Sequence, residues 1–380
     1  MENFDDIRPY TDAELPAAMR RIVDNEFFPL LASHVFPGRP LEQVRDLMLS
    51  FRTIRDFQYQ VMRVANDRII ANSTTSFTCD GASHIEPGGS YLFVSNHRDI
   101  MLDASLLQNV LVAHGHDTSE ITFGANLMQG QLVIDIGKSN KMFRVERGGN
   151  MKDFYLSSLH LSSYIRNAIV NLHQSVWIAQ RNGRTKDGND STDQGIIKMF
   201  CLSHPRDKIE ALDQLHIVPV TVSYEWEPCD VLKAIELYMS RTEKYIKKPG
   251  EDLTSIITGI VQPKGHVHFA IGRPITHSEL MRFNDCTSTD YHRQVAQLLD
   301  ERIIAAYKLT PNNYIAHDML YGQRRYENRY TSEQKQAFTR HLQQLHRYDY
   351  VDDTEALLNI FLGIYANPVT SHERLAASGK

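Results

Sequence analysis

The residues best suited to chemistry lie in Ser95-Asn96-His97-Arg98-Asp99-Ile100-Met101-Leu102-Asp103. They follow an apolar run at 91–94, which reads as a buried strand, and lead into a helical pattern at 101–113. A histidine in the loop at a strand's carboxyl end sits where α/β folds commonly place reactive groups. With a carboxylate to hold its tautomer and stabilise the imidazolium, it can take a proton from a substrate hydroxyl. Asp99 and Asp103 are both near in sequence, and a histidine beside an aspartate is also a common structural pair.

Three further segments carry charge or marked backbone. Residues 137–152 set Lys138, Lys141, Arg144, Arg147 and Lys152 against one acid, Glu146, beside Gly148-Gly149. Such a segment makes either an anion site or a solvated basic face. Gly137-Lys138-Ser139 looks like the end of a phosphate-binding P-loop, but Leu132 stands where that loop needs its first glycine, so a nucleotide site is excluded. In Trp177-Ile178-Ala179-Gln180-Arg181-Asn182-Gly183-Arg184-Thr185-Lys186, an apolar strand runs into a glycine-containing loop. Arg184 and Lys186 there are suited to clamp a phosphate, the arginine in bidentate fashion. The strand at 217–222 contains Pro219, which predicts an edge position or a strand start. There is no GxSxG elbow and no HExxH, and His114/His116 and His266/His268 lack a third ligand at metal spacing, so no metal is expected.

Short apolar runs at 91–94, 133–136, 175–179, 217–222 and 266–271 alternate with helical patterns at 101–113, 154–171 and 230–245. This predicts an α/β domain with a mixed, mainly parallel sheet flanked by helices. Before it, Leu41, Val44, Leu47, Met48, Phe51, Ile54, Phe57 and Val61 share one helical face, and 27–31 is apolar. After it, helical patterns return at 291–307, 332–347 and 352–365. The expected division is an N-terminal helical region (1–70), an α/β domain (71–290) and a C-terminal helical region (291–380).

The chain has 380 residues, 42% hydrophobic and 23% charged, enough for a sizeable core and incompatible with disorder or a small disulfide scaffold. A formal net charge of −5 argues against a nucleic-acid binder. Cys79, Cys201, Cys229 and Cys286 are far apart and read as reduced thiols. The opening MENFDDIRPY shows no secretory signal, and no run approaches the ~18 apolar residues of a membrane span. The expectation is a cytoplasmic protein, peripheral on the membrane if its substrate is a lipid. The N-terminal helices and the run 357–366 are the candidate contacts, with core packing as the alternative for both.

Taken in order, the four segments resemble the motif blocks of the glycerolipid acyltransferase superfamily, which contains glycerol-3-phosphate and 1-acylglycerol-3-phosphate acyltransferases. The blocks are Asn96-His97 through Asp103, Phe143-Arg144-Val145-Glu146-Arg147, Asn182-Gly183-Arg184-Thr185 and the proline-containing strand at 217–222, together spanning about half the chain. Two departures stand out. Five residues separate His97 from Asp103 where the family has four, and Asn182 replaces a glutamate in the third block, with one residue missing before Arg184.

The resemblance implies transfer of a fatty acyl group from an acyl carrier protein or coenzyme A thioester to a hydroxyl, without cofactor or acyl-enzyme. His97 would be the general base and Asp103 its partner, favoured over Asp99 because it leads directly into the helix. Phe143, Arg147, Asn182, Gly183, Arg184, Lys186 and Pro219 would line the substrate site. Backbone N–H groups around Gly183 are candidates for the oxyanion, and the implied partners are the thioester donor and an anionic membrane lipid. Two alternatives remain: acylation of a non-glycerol acceptor such as an amino-acid lipid, and a lipid-binding module without turnover.

Overall fold

The computed structural model describes residues 3–146, 148, 150–348 and 351–378. Strands β1 (Thr74–Asp80), β2 (Leu92–Ser95), β3 (Glu120–Gly124), β4 (Met142–Val145), β5 (Val176–Ala179), β6 (Ile217–Tyr224) and β7 (Gly265–Ile271) form one sheet in the order β1-β7-β6-β2-β5-β3-β4. Every neighbouring pair is parallel except β6 and β7. This is the mixed, mainly parallel α/β sheet that the strand–helix alternation predicts.

Side-chain alternation sorts the sheet residues into two layers. Leu92, Val94, Val176, Ile178 and Ile217 bury one face against the helices Met151–Arg166, Gln194–Cys201, Lys208–Asp213 and Ser288–Ala306. Phe93, Trp177, Val218, Val220 and Val222 bury the other, chiefly against the helix Leu102–Ala113. Because β2 lies between β6 and β5, the loops leaving the carboxyl ends of all three strands converge.

Two helical assemblies have cores of their own. Val44, Met48, Phe51, Ile54, Phe57 and Val61 turn inward onto Leu15, Met19 and Ile22, so the periodic N-terminal face is interior from Val44 on, while Leu41, Phe27, Leu30 and Leu31 stay exposed. At the other end, Leu357, Phe361, Leu362 and Tyr365 of the helix Thr354–Ser378 are buried against the helices Asp230–Met239, Pro311–Leu320 and Ser332–Leu342. The run 357–366, a candidate membrane contact by sequence, is therefore core.

Other local expectations are corrected. Residues 133–136 are not a strand but part of the helix Gln131–Ser139, where Leu132 and Ile136 face the N-terminal core and Ile134 faces the sheet core. A four-residue apolar run fits either element, and tertiary contacts chose the helix. The helical pattern 230–245 stops at Met239. Pro219 sits in an interior strand, not at an edge or start. Its carbonyl accepts from Gly272 N–H at 2.8 Å, just past the last β6–β7 pair, Val220↔Ile271. A strand residue's N and C=O point to the same side, so the missing N–H faces a place where the neighbouring ladder has ended.

Strand β3 begins with a buried carboxyl. Tyr164 donates its hydroxyl to Glu120 Oε2 at 2.6 Å, yet burial pushes the Glu120 carboxyl up to about 7, against the opposing pull of Tyr164 and Lys141. An unfolded glutamate titrates near ~4.3. Between those values the folded protein holds a proton the unfolded chain has lost, so stability falls as pH rises from the lower to the higher and is flat beyond. Glu120→Gln, which keeps an acceptor for Tyr164, is expected to gain about 2–3 kcal/mol at pH 8 and little at pH 4. Urea unfolding at the two pH values checks this; equal effects at both would refute it.

Candidate active site

The loop after β2 is held by its own carboxylates. Asp99 Oδ1 accepts from the N–H groups of Met101 and Leu102, both at 2.9 Å, which turns the chain into the helix Leu102–Ala113. Asp103, in the first turn of that helix, is fully buried. Its Oδ2 accepts from Arg98 N–H at 2.6 Å and Asp99 N–H at 2.9 Å, and lies 2.9 Å from His97 Nδ1. Its Oδ1 accepts from the Tyr224 hydroxyl at 2.8 Å. Helix N-termini favour a negative group at this position.

A carboxylate only accepts, so this contact makes Nδ1 the donor nitrogen of His97 and, in the neutral ring, leaves the Nε2 lone pair as the base. Nε2 has no hydrogen-bond partner among the described residues. The imidazole and the Trp177 ring pack in a T-shaped arrangement, 5.7 Å between centroids, and His97 retains 9% exposure. Burial, followed by the nearby Asp103, drives the Tyr224 phenol far above its usual range, so it serves as a neutral donor. Asp99 has no hydrogen bond to the imidazole among the described residues; burial first and then Asp103 push its carboxyl up.

The loop after β5 lies against the first. Thr185 N–H donates to His97 C=O at 2.7 Å, and Thr185 Oγ1 to Asp190 Oδ1 at 2.9 Å. Arg184 is 9% exposed; Nη2 reaches Ser255 Oγ at 3.3 Å, and Nη1 is buried without a partner. Gly183 has φ +77° with open space where a side chain would project, and Asn182 is exposed. Lys186 is ion-paired with Glu236.

Other predicted site residues lie apart from this cluster. Phe143 is fully buried on the opposite sheet face from Trp177, against Tyr164. Pro219 projects toward that same face and touches Gly272. Arg147 lies outside the described residues. The basic segment does not converge: Lys141 donates to Thr118 C=O and Gln174, Lys138 to Asp5 C=O, and Arg144 pairs with Glu146.

Beneath the His97 loop is a buried charge network that sequence reading missed. Arg98 reaches Asp190 at 2.6 Å and Glu227 at 3.3 Å. Lys233 reaches Glu227 at 2.6 Å and donates to Arg98 C=O at 2.7 Å. Asn96 Nδ2 donates to Asp190 Oδ2 and to Val222 C=O, both at 3.0 Å. These contacts tie the loops after β2, β5 and β6 together. Nothing local marks Glu227 or Lys233; Tyr224 could have been found, since Val218, Val220, Val222 and Tyr224 alternate onto the face that carries Asp103's helix.

No protein-family profile and no curated protein matches the chain. Among solved structures it is similar to the 1-acyl-sn-glycerophosphate (LPA) acyltransferase PlsC from Thermotoga maritima, with 13% identity and a TM-score of 0.35 over 77% of this chain and 96% of that one.

Proposed function

We propose that the chain is an acyltransferase that moves a fatty acyl group from an acyl thioester to a hydroxyl of a glycerophosphate or lysophospholipid-type acceptor. The observation that carries this reading is the His97–Asp103 pair, with Nδ1 committed to the carboxylate and Nε2 left as a base beside the Arg184 loop. The four ordered sequence blocks support the same reading.

In the reaction, His97 Nε2 takes the acceptor's hydroxyl proton while Asp103 stabilises the imidazolium. The oxygen attacks the thioester carbonyl carbon; the new C–O bond forms and the carbonyl pair moves onto oxygen. Collapse of that oxyanion breaks the C–S bond, and the thiolate takes the proton from His97. The N–H groups around Gly183 are assigned to the oxyanion. Arg184, with Nη1 unpartnered, is assigned to the acceptor's phosphate. Lys186 joins it only by leaving Glu236. Arg147 keeps the same assignment from sequence alone, and the donor is an acyl carrier protein or coenzyme A thioester. A lysolipid acceptor places the enzyme at a membrane surface; no helix among the described residues is long and apolar enough to cross one.

The test supplies both donor types with glycerol-3-phosphate and lysophosphatidate to the purified full chain. Transfer to either acceptor supports the reading; none to either, from folded protein, overturns the glycerophosphate assignment. Asp103→Asn is expected to lose ~10²–10⁴-fold in kcat, because an amide at this position cannot stabilise the imidazolium. Asp99→Asn keeps the backbone cap and is expected to stay within about tenfold of wild type. The reverse order would assign the pair wrongly.

A further inference from the structure

A carboxylate buried without a cation depends on hydrogen bonds to hold its charge. Asp103 is fully buried, and among the described residues its ion-pair partner is His97 alone, a ring that is charged only when protonated. Its two oxygens are served differently. Oδ2 meets Arg98 N–H, Asp99 N–H and His97 Nδ1. Oδ1 has one donor among the described residues, the Tyr224 hydroxyl at 2.8 Å. With three contacts on Oδ2, the orientation of the carboxylate does not hang on Tyr224. Its charge does.

Tyr224 is buried in β6, and burial followed by Asp103 keeps its phenol neutral, so it remains a donor wherever the imidazole could act as a base. The bond matters most while the imidazole is neutral, because Asp103 then carries an unmatched charge. Once the imidazole is protonated, that charge is matched and the same bond contributes less. Tyr224 therefore opposes proton uptake by the pair, on whichever of the two groups the proton resides. Other charged groups near the trio act at one remove. Arg184 and Lys264 bear on Asp99, Glu227 bears on Tyr224, and Arg98 is bound by Asp190 and Glu227. Asp99 is a carboxyl that faces both Asp103 and Tyr224.

The same three residue types meet at a second place. His341 Nε2 and the Tyr365 hydroxyl both donate to Asp230 Oδ2, at 2.7 and 2.6 Å. There the other imidazole nitrogen, Nδ1, is bonded to Gln344 at 2.8 Å, so that ring has no free base.

We propose that Tyr224 is a positioning residue for acyl transfer, acting through Asp103: its bond to Oδ1 keeps the His97–Asp103 pair open to the acceptor's proton down to a lower pH than the pair alone would reach. The purpose of this device rests on the acyl-transfer reading, but its test begins without turnover.

The experiment follows the Cε1–H resonances of isotope-labelled histidines against pH in the full chain without substrate, with His97 and His341 assigned through His97→Ala and His341→Gln. In Tyr224→Phe the His97 midpoint is expected to rise by about one pH unit while the His341 midpoint stays in place. The acid limb of kcat/KM should rise with it, and the alkaline plateau of kcat should stay within about tenfold of wild type. Tyr224→fluorotyrosine, a stronger donor of nearly the same shape, should move the midpoint and the limb the other way. The rise should persist in an Asp99→Asn background.

A folded Tyr224→Phe with an unmoved His97 midpoint would overturn the proposal. So would a fallen plateau with an unmoved acid limb, the mark of a merely structural contact, and so would a rise that vanishes with Asp99→Asn. If Tyr224→Phe does not fold, the fluorinated variant decides, and the absence of a downward shift overturns the proposal. Midpoints that move as expected in a chain that transfers no acyl group would leave the role of Tyr224 standing and sink the catalytic reading.

Discussion

His97→Ala is expected to lower acyl transfer by ~10²–10⁴-fold in kcat, the usual contribution of a positioned general base. The imidazole is the one group in the cluster with an unprotonated nitrogen free to receive a proton: Asp103 is saturated by four donors, and Tyr224 is held neutral by burial. Folding should be little affected. The ring packs against Trp177, but the donors to Asp103 from Arg98, Asp99 and Tyr224 remain in the variant. Parallel urea unfolding therefore separates lost chemistry from lost fold. A variant that is folded and still turns over at more than a tenth of the wild-type rate would remove His97 from the mechanism.

Glu227→Gln is expected to cost about 3–5 kcal/mol of stability, the typical penalty for stripping one partner from a buried ion pair. Glu227, Arg98 and Lys233 have side-chain exposures of 3%, 1% and 1%, and with Asp190 they form two cations balanced by two anions. Neutralising Glu227 leaves an uncompensated positive charge without water. The double variant Glu227→Gln with Lys233→Met restores the balance and should recover part of the loss, a coupling that a double-mutant cycle in guanidinium measures. A single-variant cost below about 1 kcal/mol, or strictly additive effects, would show that the network is solvated. Because Lys233 holds the carbonyl of Arg98, next to His97, the same variants should weaken transfer beyond what the stability loss explains.

The α/β class and the main helices and strands around the site were legible in residue types and spacing. Periodicity is local, and residues 92–94 and 217–222 announce strands because these runs are buried on both faces. The choice of Asp103 over Asp99 was also favoured from sequence, through its direct lead into the helix; the geometry places Asp103 on the imidazole and Asp99 on the backbone.

Strands β1, β3 and β4 were not legible. β1 reads Thr-Thr-Ser-Phe-Thr-Cys-Asp at a sheet edge and shows little apolar signal, and β3 (Glu-Ile-Thr-Phe-Gly) and β4 (Met-Phe-Arg-Val) have polar or charged residues within their short runs. Pro219 is tolerated inside the sheet because β7 ends beside it, a fact about a strand some fifty residues away. The run 357–366 is apolar whether it faces lipid or a neighbouring helix, so only its partners decide that it is core. The same holds for charge: Lys186 and Lys141 look like free cations in sequence and are bonded in the fold, while Arg184 keeps an unpaired nitrogen. Sequence determined which residue types stand near which strand ends. Tertiary structure decided which of them are paired, buried or exposed, because those properties depend on contacts between segments distant in the chain.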